Sequence, residues 1–202
     1  MAELDTTNKF ENAVMAENLS RALSNDEREK IENTLRSNNI DIIFRETGPK
    51  ASLFDAIAIL FNEPLTKMII NGLLASGAYD AIKSVVLCFL EKLKNAYKVR
   101  SDGNGNIIKK DIPHLDLRLK TDNAELNVLI SRNFTHKQVL EYMDKARETM
   151  IELGKTQIPK LQKYEIYIID SDSNKPESIK VMTMSQYGKE QLEKQEKENA
   201  EI

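Results

Sequence analysis

The sequence predicts an α+β fold: a mostly antiparallel sheet of four to six strands packed against a helical layer, with helical N- and C-terminal extensions. Three observations point there. Residues 53–90 form a largely apolar block, interrupted by single charged residues and punctuated at Pro64 and Gly77. Residues 114–131 alternate apolar and polar side chains in two runs, the period of a hairpin with one dry and one wet face. Residues 136–153 place apolar groups at helical spacing behind a capping signal.

Residues 1–39 read as a helical arm. Phe10, Val14 and the Leu19/Leu23 pair give it a thin apolar stripe, and Ser24 to Glu27 has capping-box spacing. The helix behind that box offers Ile31 and Leu35 to a neighbour. Such an arm packs by one narrow edge, either on its own domain or on a partner. The run "IDIIF" at residues 40–44 reads as a strand.

Ser52 is placed to cap a helix over residues 53–61, which Pro64 ends or kinks. A second helical segment covers residues 65–76, and Gly77 separates it from a third over residues 78–97. Ile82, Val86, Phe89 and Leu93 form the seam of that third helix, while Val85, Leu87, Cys88 and Leu90 fill its other faces. A helix apolar on all sides is buried on all sides. A membrane-spanning helix needs about 20 mostly apolar residues. Asp55, Glu63, Lys67, Asp80, Lys83 and Glu91 cut the block into shorter pieces. Central core helices are therefore the preferred reading, and a hairpin that inserts after a conformational change is the alternative.

The Asp-Gly and Asn-Gly dipeptides of "SDGNGN" mark a tight turn leading into a strand. The same stretch starts like a calcium loop, but that template wants Gly and Glu where Ile107 and Pro113 stand. In the hairpin, Leu115, Leu117 and Leu119 face one way and His114, Asp116, Arg118 and Lys120 the other. Leu126, Val128 and Ile130 repeat the pattern after a turn. Thr135 and Gln138 form a second capping box, the helix behind it carries Val139, Met143, Ala146, Met150 and Leu153, and Gly154 is read as its end. "KYEIYIID" and "SIKVMTM" read as an antiparallel strand pair, and residues 185–202 as a charged helical or disordered tail. The domain division is thus an arm over residues 1–39, an α+β core over residues 40–184, and the tail.

The supply of catalytic side chains is thin: two histidines and one cysteine. His114 and Asp116 share a strand face, where a general base and its orienting carboxylate can sit, or where an ordinary polar face needs no such role. Asp170 and Asp172 lie at a strand end, a position from which nucleases hold Mg²⁺, yet no Glu-x-Lys partner accompanies them. No cluster of His, Cys and acidic residues suggests a metal, and "GNGN" precedes a β-like run instead of a phosphate-holding helix. The expectation is no enzyme, with no catalytic, cofactor-binding or metal residues and no cofactor. The net charge of −3 and the lack of aromatics among Lys109, Lys110, Arg118, Lys120 and Arg132 argue against specific nucleic-acid binding. The lone Cys88 among apolar neighbours suits a reducing compartment, and "MAELDTTNKF" lacks the pattern of a secretory signal, so a cytoplasmic location is expected.

Three stretches, "IDIIF", "INGLLASGAYDAIKSVVLCFLEKLKN" and "LDLRLKTDNAELNVLIS", span residues 40–131. Their layout resembles small effector-associated components of bacterial conflict (anti-phage) systems. The resemblance implies an accessory or adaptor role beside an effector, and no functional residue is carried over from it. The expected function is a non-catalytic protein–protein interaction or adaptor module of a bacterial or phage assembly. Its partner is another protein or a second copy of the chain, met through Phe10, Val14, Arg118 and Lys120. A membrane-perturbing effector using residues 53–90 is the alternative, and a hydrolase the second alternative.

Overall fold

Short apolar runs build more of the sheet than periodicity identifies. The computed structural model describes residues 11–19, 22–45, 57–94, 97–101, 107–111, 114–172 and 175–200. In chain order, β1 (Ala13–Glu17), α1 (Asn25–Arg36) and β2 (Asp41–Arg45) form the first unit. Next come β3 (Ile57–Phe61), α2 (Glu63–Ile70) and α3 (Ser76–Leu93). A separate two-stranded ladder joins β4 (Tyr97–Ser101) to β5 (Ile107–Asp111). The hairpin β6 (His114–Lys120) and β7 (Ala124–Ser131) leads into α4 (His136–Thr156). The chain closes with β8 (Glu165–Asp172), β9 (Lys175–Thr183) and α5 (Met184–Ala200).

Among the described residues, seven strands form one sheet in the order β2-β1-β3-β6-β7-β8-β9. The sheet is mixed: β1–β2, β3–β6 and β7–β8 run parallel, and β1–β3, β6–β7 and β8–β9 antiparallel. This corrects the expected mostly antiparallel sheet of four to six strands. The added strands come from segments read as helix. "AVMAE" is helix-compatible by composition, but its pairing with both β2 and β3 overrides that weak preference. "IAILF" is buried on both faces between β1 and β6, and a short run apolar on both faces has no period to separate strand from helix.

Three breakers also act differently from expectation. Asn62 caps α2, its side-chain oxygen accepting from Leu65 N at 3.2 Å, and Pro64 sits in the first turn, where its missing N–H costs nothing. Gly77 lies inside the first turn of α3. Gly154 lies inside α4, against the end of α2: a Cβ there would stand 2.8 Å from the Ile70 carbonyl oxygen. The glycine permits that close crossing. By contrast Gly72, at φ +70°, turns the chain between α2 and α3 as glycine does best.

Both expected capping boxes are present, at Ser24/Glu27 and Thr135/Gln138. α1 to α4 share one apolar cluster with the inward side chains of the sheet, including Val14, Ile59, Phe61, Leu117, Val128 and Ile169. Phe89 and Val86 of α3 are fully buried within it. Two tyrosines tie α4 into this layer: the Tyr142 hydroxyl donates to Ile169 O at 2.9 Å, and Met143 O accepts from the Tyr79 hydroxyl at 2.5 Å. The block read as a candidate membrane hairpin is therefore a strand and two helices with their apolar sides in the core. No helix among the described residues is long and apolar enough to cross a membrane, which leaves the membrane-perturbing reading without support.

Candidate functional site

The opposite face of the sheet is apolar and buried at Ala13, Met15 and Ala58 in β1 and β3, and turns polar from β6 onward. Alternation along β6 turns His114, Asp116, Arg118 and Lys120 to this side, and the ladder sets Ser131 across from His114, Leu129 across from Asp116 and Asn127 across from Arg118. β8 adds Ile168 and Asp170, and β9 sets Met182 and Lys180 beside them. Leu129, Ile168 and Met182 make a small apolar patch, covered by Met184 and Tyr187 at the start of α5.

α5 reaches this patch because it begins without a loop. Gln186 Oε1 accepts from Thr183 N at 2.8 Å and Gln186 N donates to Thr183 Oγ1 at 3.3 Å, a third capping box at the junction of β9 and α5. The helix is pinned at its first turn. Beside it lies a cleft of about 480 Å³ lined by His114, Ser131, Asp170, Lys180, Tyr187 and Lys194, among others.

Behind the cleft wall, Asp116 is 5% exposed. One carboxylate oxygen accepts from Arg118 Nη2 at 3.0 Å. The other stands 3.6 Å from His114 Nε2, beyond hydrogen-bond reach, and has no hydrogen-bond partner among the described residues. Asn127 Oδ1 and Ser171 Oγ are likewise buried without one. Asp170 accepts from Ser171 N at 2.8 Å. Burial pushes its carboxyl above the ordinary value, partly offset by that bond and by His114, Lys194 and Lys180. Burial, and then the carboxylates of Asp170, Asp116 and Glu190, push the Tyr187 phenol up to about 12, so it stays a neutral donor at physiological pH.

The sequence-derived candidates are scattered by this geometry. Phe10 lies outside the described residues. Val14 is 2% exposed in the second strand of the sheet, packed in the main cluster. Arg118 is on the polar face but engaged with Asp116. Lys120 is exposed at the end of β6, across from Glu125. The structure lines the cleft with His114 and Asp170 and sets Asp116 beside His114, behind the cleft wall. Asp172 falls where β8 loses register with β9. Tyr187, Lys180 and Lys194 are additions from the strand and tail, and the Thr183-x-x-Gln186 spacing was the signal that could have found the helix start.

No group of three His, Cys, Asp or Glu side chains among the described residues is placed to hold a metal ion. Cys88 is half-buried on α3, and its thiol is pushed up, first by burial and then by Glu27. Its thiolate is disfavoured there. No family model, curated protein or solved structure matches the chain.

Proposed function

We propose that the protein is a non-catalytic interaction module, an accessory component of a bacterial or phage assembly, which receives a partner segment in the cleft beside α5. One observation carries this reading. Asp170, Lys180 and Lys194 line the cleft, yet none has an ion-pair partner within 4 Å among the described residues. Charges of both signs held near one another without pairing suit a partner segment that supplies the complements. The resemblance of residues 40–131 to effector-associated components agrees with an adaptor role.

The test is site-specific photo-crosslinking in the native host, from a probe at Gln191 in the cleft and a control probe at the exposed Lys137 on α4. The cleft probe should give a discrete protein adduct that the control does not, and Lys194→Glu should deplete it. Equal labelling from both positions would remove the reading.

A hydrolase is the second reading, favoured by His114 standing 3.6 Å from Asp116 and directly across the ladder from Ser131. In that arrangement His114 acts as base, with the Asp116 carboxylate beside it free to close to hydrogen-bond distance when substrate binds, and the cleft takes the substrate. Turnover of chromogenic carboxylic or phosphate esters that His114→Ala abolishes would support it. Turnover unchanged by His114→Ala would exclude it.

A further inference from the structure

The two edges of the sheet are built differently. β9 carries Lys175, Pro176, Glu177 and Lys180, and its pairing with β8 is interrupted by a register shift between Ser171 and Asp172. Lysine, proline and irregular pairing are the devices by which proteins keep an edge from pairing further. β2, at the other edge among the described residues, has no lysine, proline or irregular pairing and carries charges only at its two ends, Asp41 and Arg45. Its sequence is Asp-Ile-Ile-Phe-Arg, regular along all five residues, and Ile42, Ile43 and Phe44 are each only half-buried.

The direction of its backbone can be read from its bonds to the preceding strand. Asp41 N donates to Asn12 O at 2.9 Å, and Arg45 O accepts from Asn18 N at 2.9 Å. Backbone groups alternate sides along a strand, so Asp41, Ile43 and Arg45 turn theirs toward β1 while Ile42 and Phe44 turn theirs outward. An incoming antiparallel strand must match outward residues to outward residues. β2 fulfils that condition for itself. Centred on Ile43, a second copy sets Ile42 against Phe44 of its mate and Phe44 against Ile42, two hydrogen-bonded pairs with four main-chain bonds.

The side chains favour the same register. It places Asp41 opposite Arg45 of the other copy at both ends, with Ile43 meeting its own counterpart between them. Opposite charges directly across an antiparallel pair are stabilising, and like charges are not. Ile42 and Phe44, which already pack against the main core, would extend that core across the junction. Arg36 approaches Asp41 at 3.9 Å on the surface, and a carboxylate accepts from two such cations without conflict.

We infer that the protein forms a two-fold dimer by antiparallel pairing of β2 with β2 of a second copy, joining the two seven-stranded sheets into one. The occupant of this edge is a second copy because the order of charges along the strand, Asp41 to Arg45, is complementary to itself in this register.

Analytical ultracentrifugation of the full chain tests it. The chain should sediment as a concentration-dependent dimer. Asp41→Arg and Arg45→Asp, each alone, set like charges face to face twice and should raise the dimer Kd roughly tenfold. The double variant restores opposite pairs and should recover most of the affinity. Ile43→Cys should yield a covalent dimer under mild oxidation, because the facing Cα atoms of a non-hydrogen-bonded pair lie about 4.5 Å apart, within disulfide range. The wild-type chain, which retains Cys88, and Val181→Cys on β9 should not. A monomer at every concentration overturns the inference, as does a dimer indifferent to the charge swaps. The proposed cleft is independent of this edge: Lys194→Glu should leave the dimer intact, and the β2 variants should leave cleft crosslinking intact.

Discussion

The two faces of the sheet are covered by unequal means. On one, four helices share a continuous apolar cluster with side chains from β1, β3, β6, β7 and β8. On the β6–β9 part of the other, α5 rests on Leu129, Ile168 and Met182 through Met184 and Tyr187, next to charged groups. Burial free energy scales with apolar area removed from water, so the large cluster contributes more to stability than the small patch under α5. That frees the second face to keep partly desolvated polar groups such as Asp116 and Asp170, which would be costly in a tightly packed core.

This difference predicts a graded series of effects. Phe89→Ala, in the thick layer, should cost about 3–5 kcal/mol, because a fully buried ring leaves a cavity that its neighbours fill only in part. Urea denaturation measures it, and a loss under about 1 kcal/mol would mean that α3 is not central. Gly154→Ala should cost about 1–3 kcal/mol by the same measurement, since its Cβ meets backbone at Ile70 and α2 and α4 must part. On the thin face, Tyr187→Ala should cost only about 1 kcal/mol, the share expected for a half-buried ring. Amide exchange should quicken in α5 and stay unchanged in α3. Equal acceleration in both helices would show that the two layers do not melt separately.

The smallest effect concerns Asp170 and depends on pH. Its folded-state value lies above the ordinary 3.8, so the neutral form favours folding. That contribution is complete below the ordinary value and is lost as pH rises through the elevated one. Asp170→Asn, which keeps the side chain neutral, should therefore melt slightly higher than wild type near neutral pH and lose that advantage toward pH ~4. If Asp170→Asn melts lower at neutral pH, His114, Lys180 and Lys194 hold the carboxylate more strongly than burial penalises it.

Much of the thick layer was legible in the sequence. The seam of α3, the stripe of α4, the two capping boxes and the β6–β7 alternation each rest on neighbours within a few residues, and each stands in the structure. β1 and β3 were misread as helix because Ala, Met, Ile and Leu in short runs suit either state until a pairing partner is present. Of the cleft, only the strand face of His114 and Asp116 and the strand-end place of Asp170 were visible. Tyr187 and Lys194 belong to a tail whose sequence reads as solvated, and only its abrupt start after β9 returns it to the sheet.

What the sequence determined by itself is therefore local: helix starts, turn positions, and which side chains of a strand share a face. These follow from hydrogen bonds and side-chain periods within a few residues, which neighbouring amino acids specify. Only the tertiary structure decided that "AVMAE" is a strand near the middle of a mixed sheet, that Val14 is core, and that β2 and β9 are the edges. Strand pairing joins residues far apart in sequence, and its outcome depends on which long-range partners leave the least apolar surface in water. The same choice sets Asp41 to Arg45 at the end of the sheet, a position that no property of those five residues alone specifies.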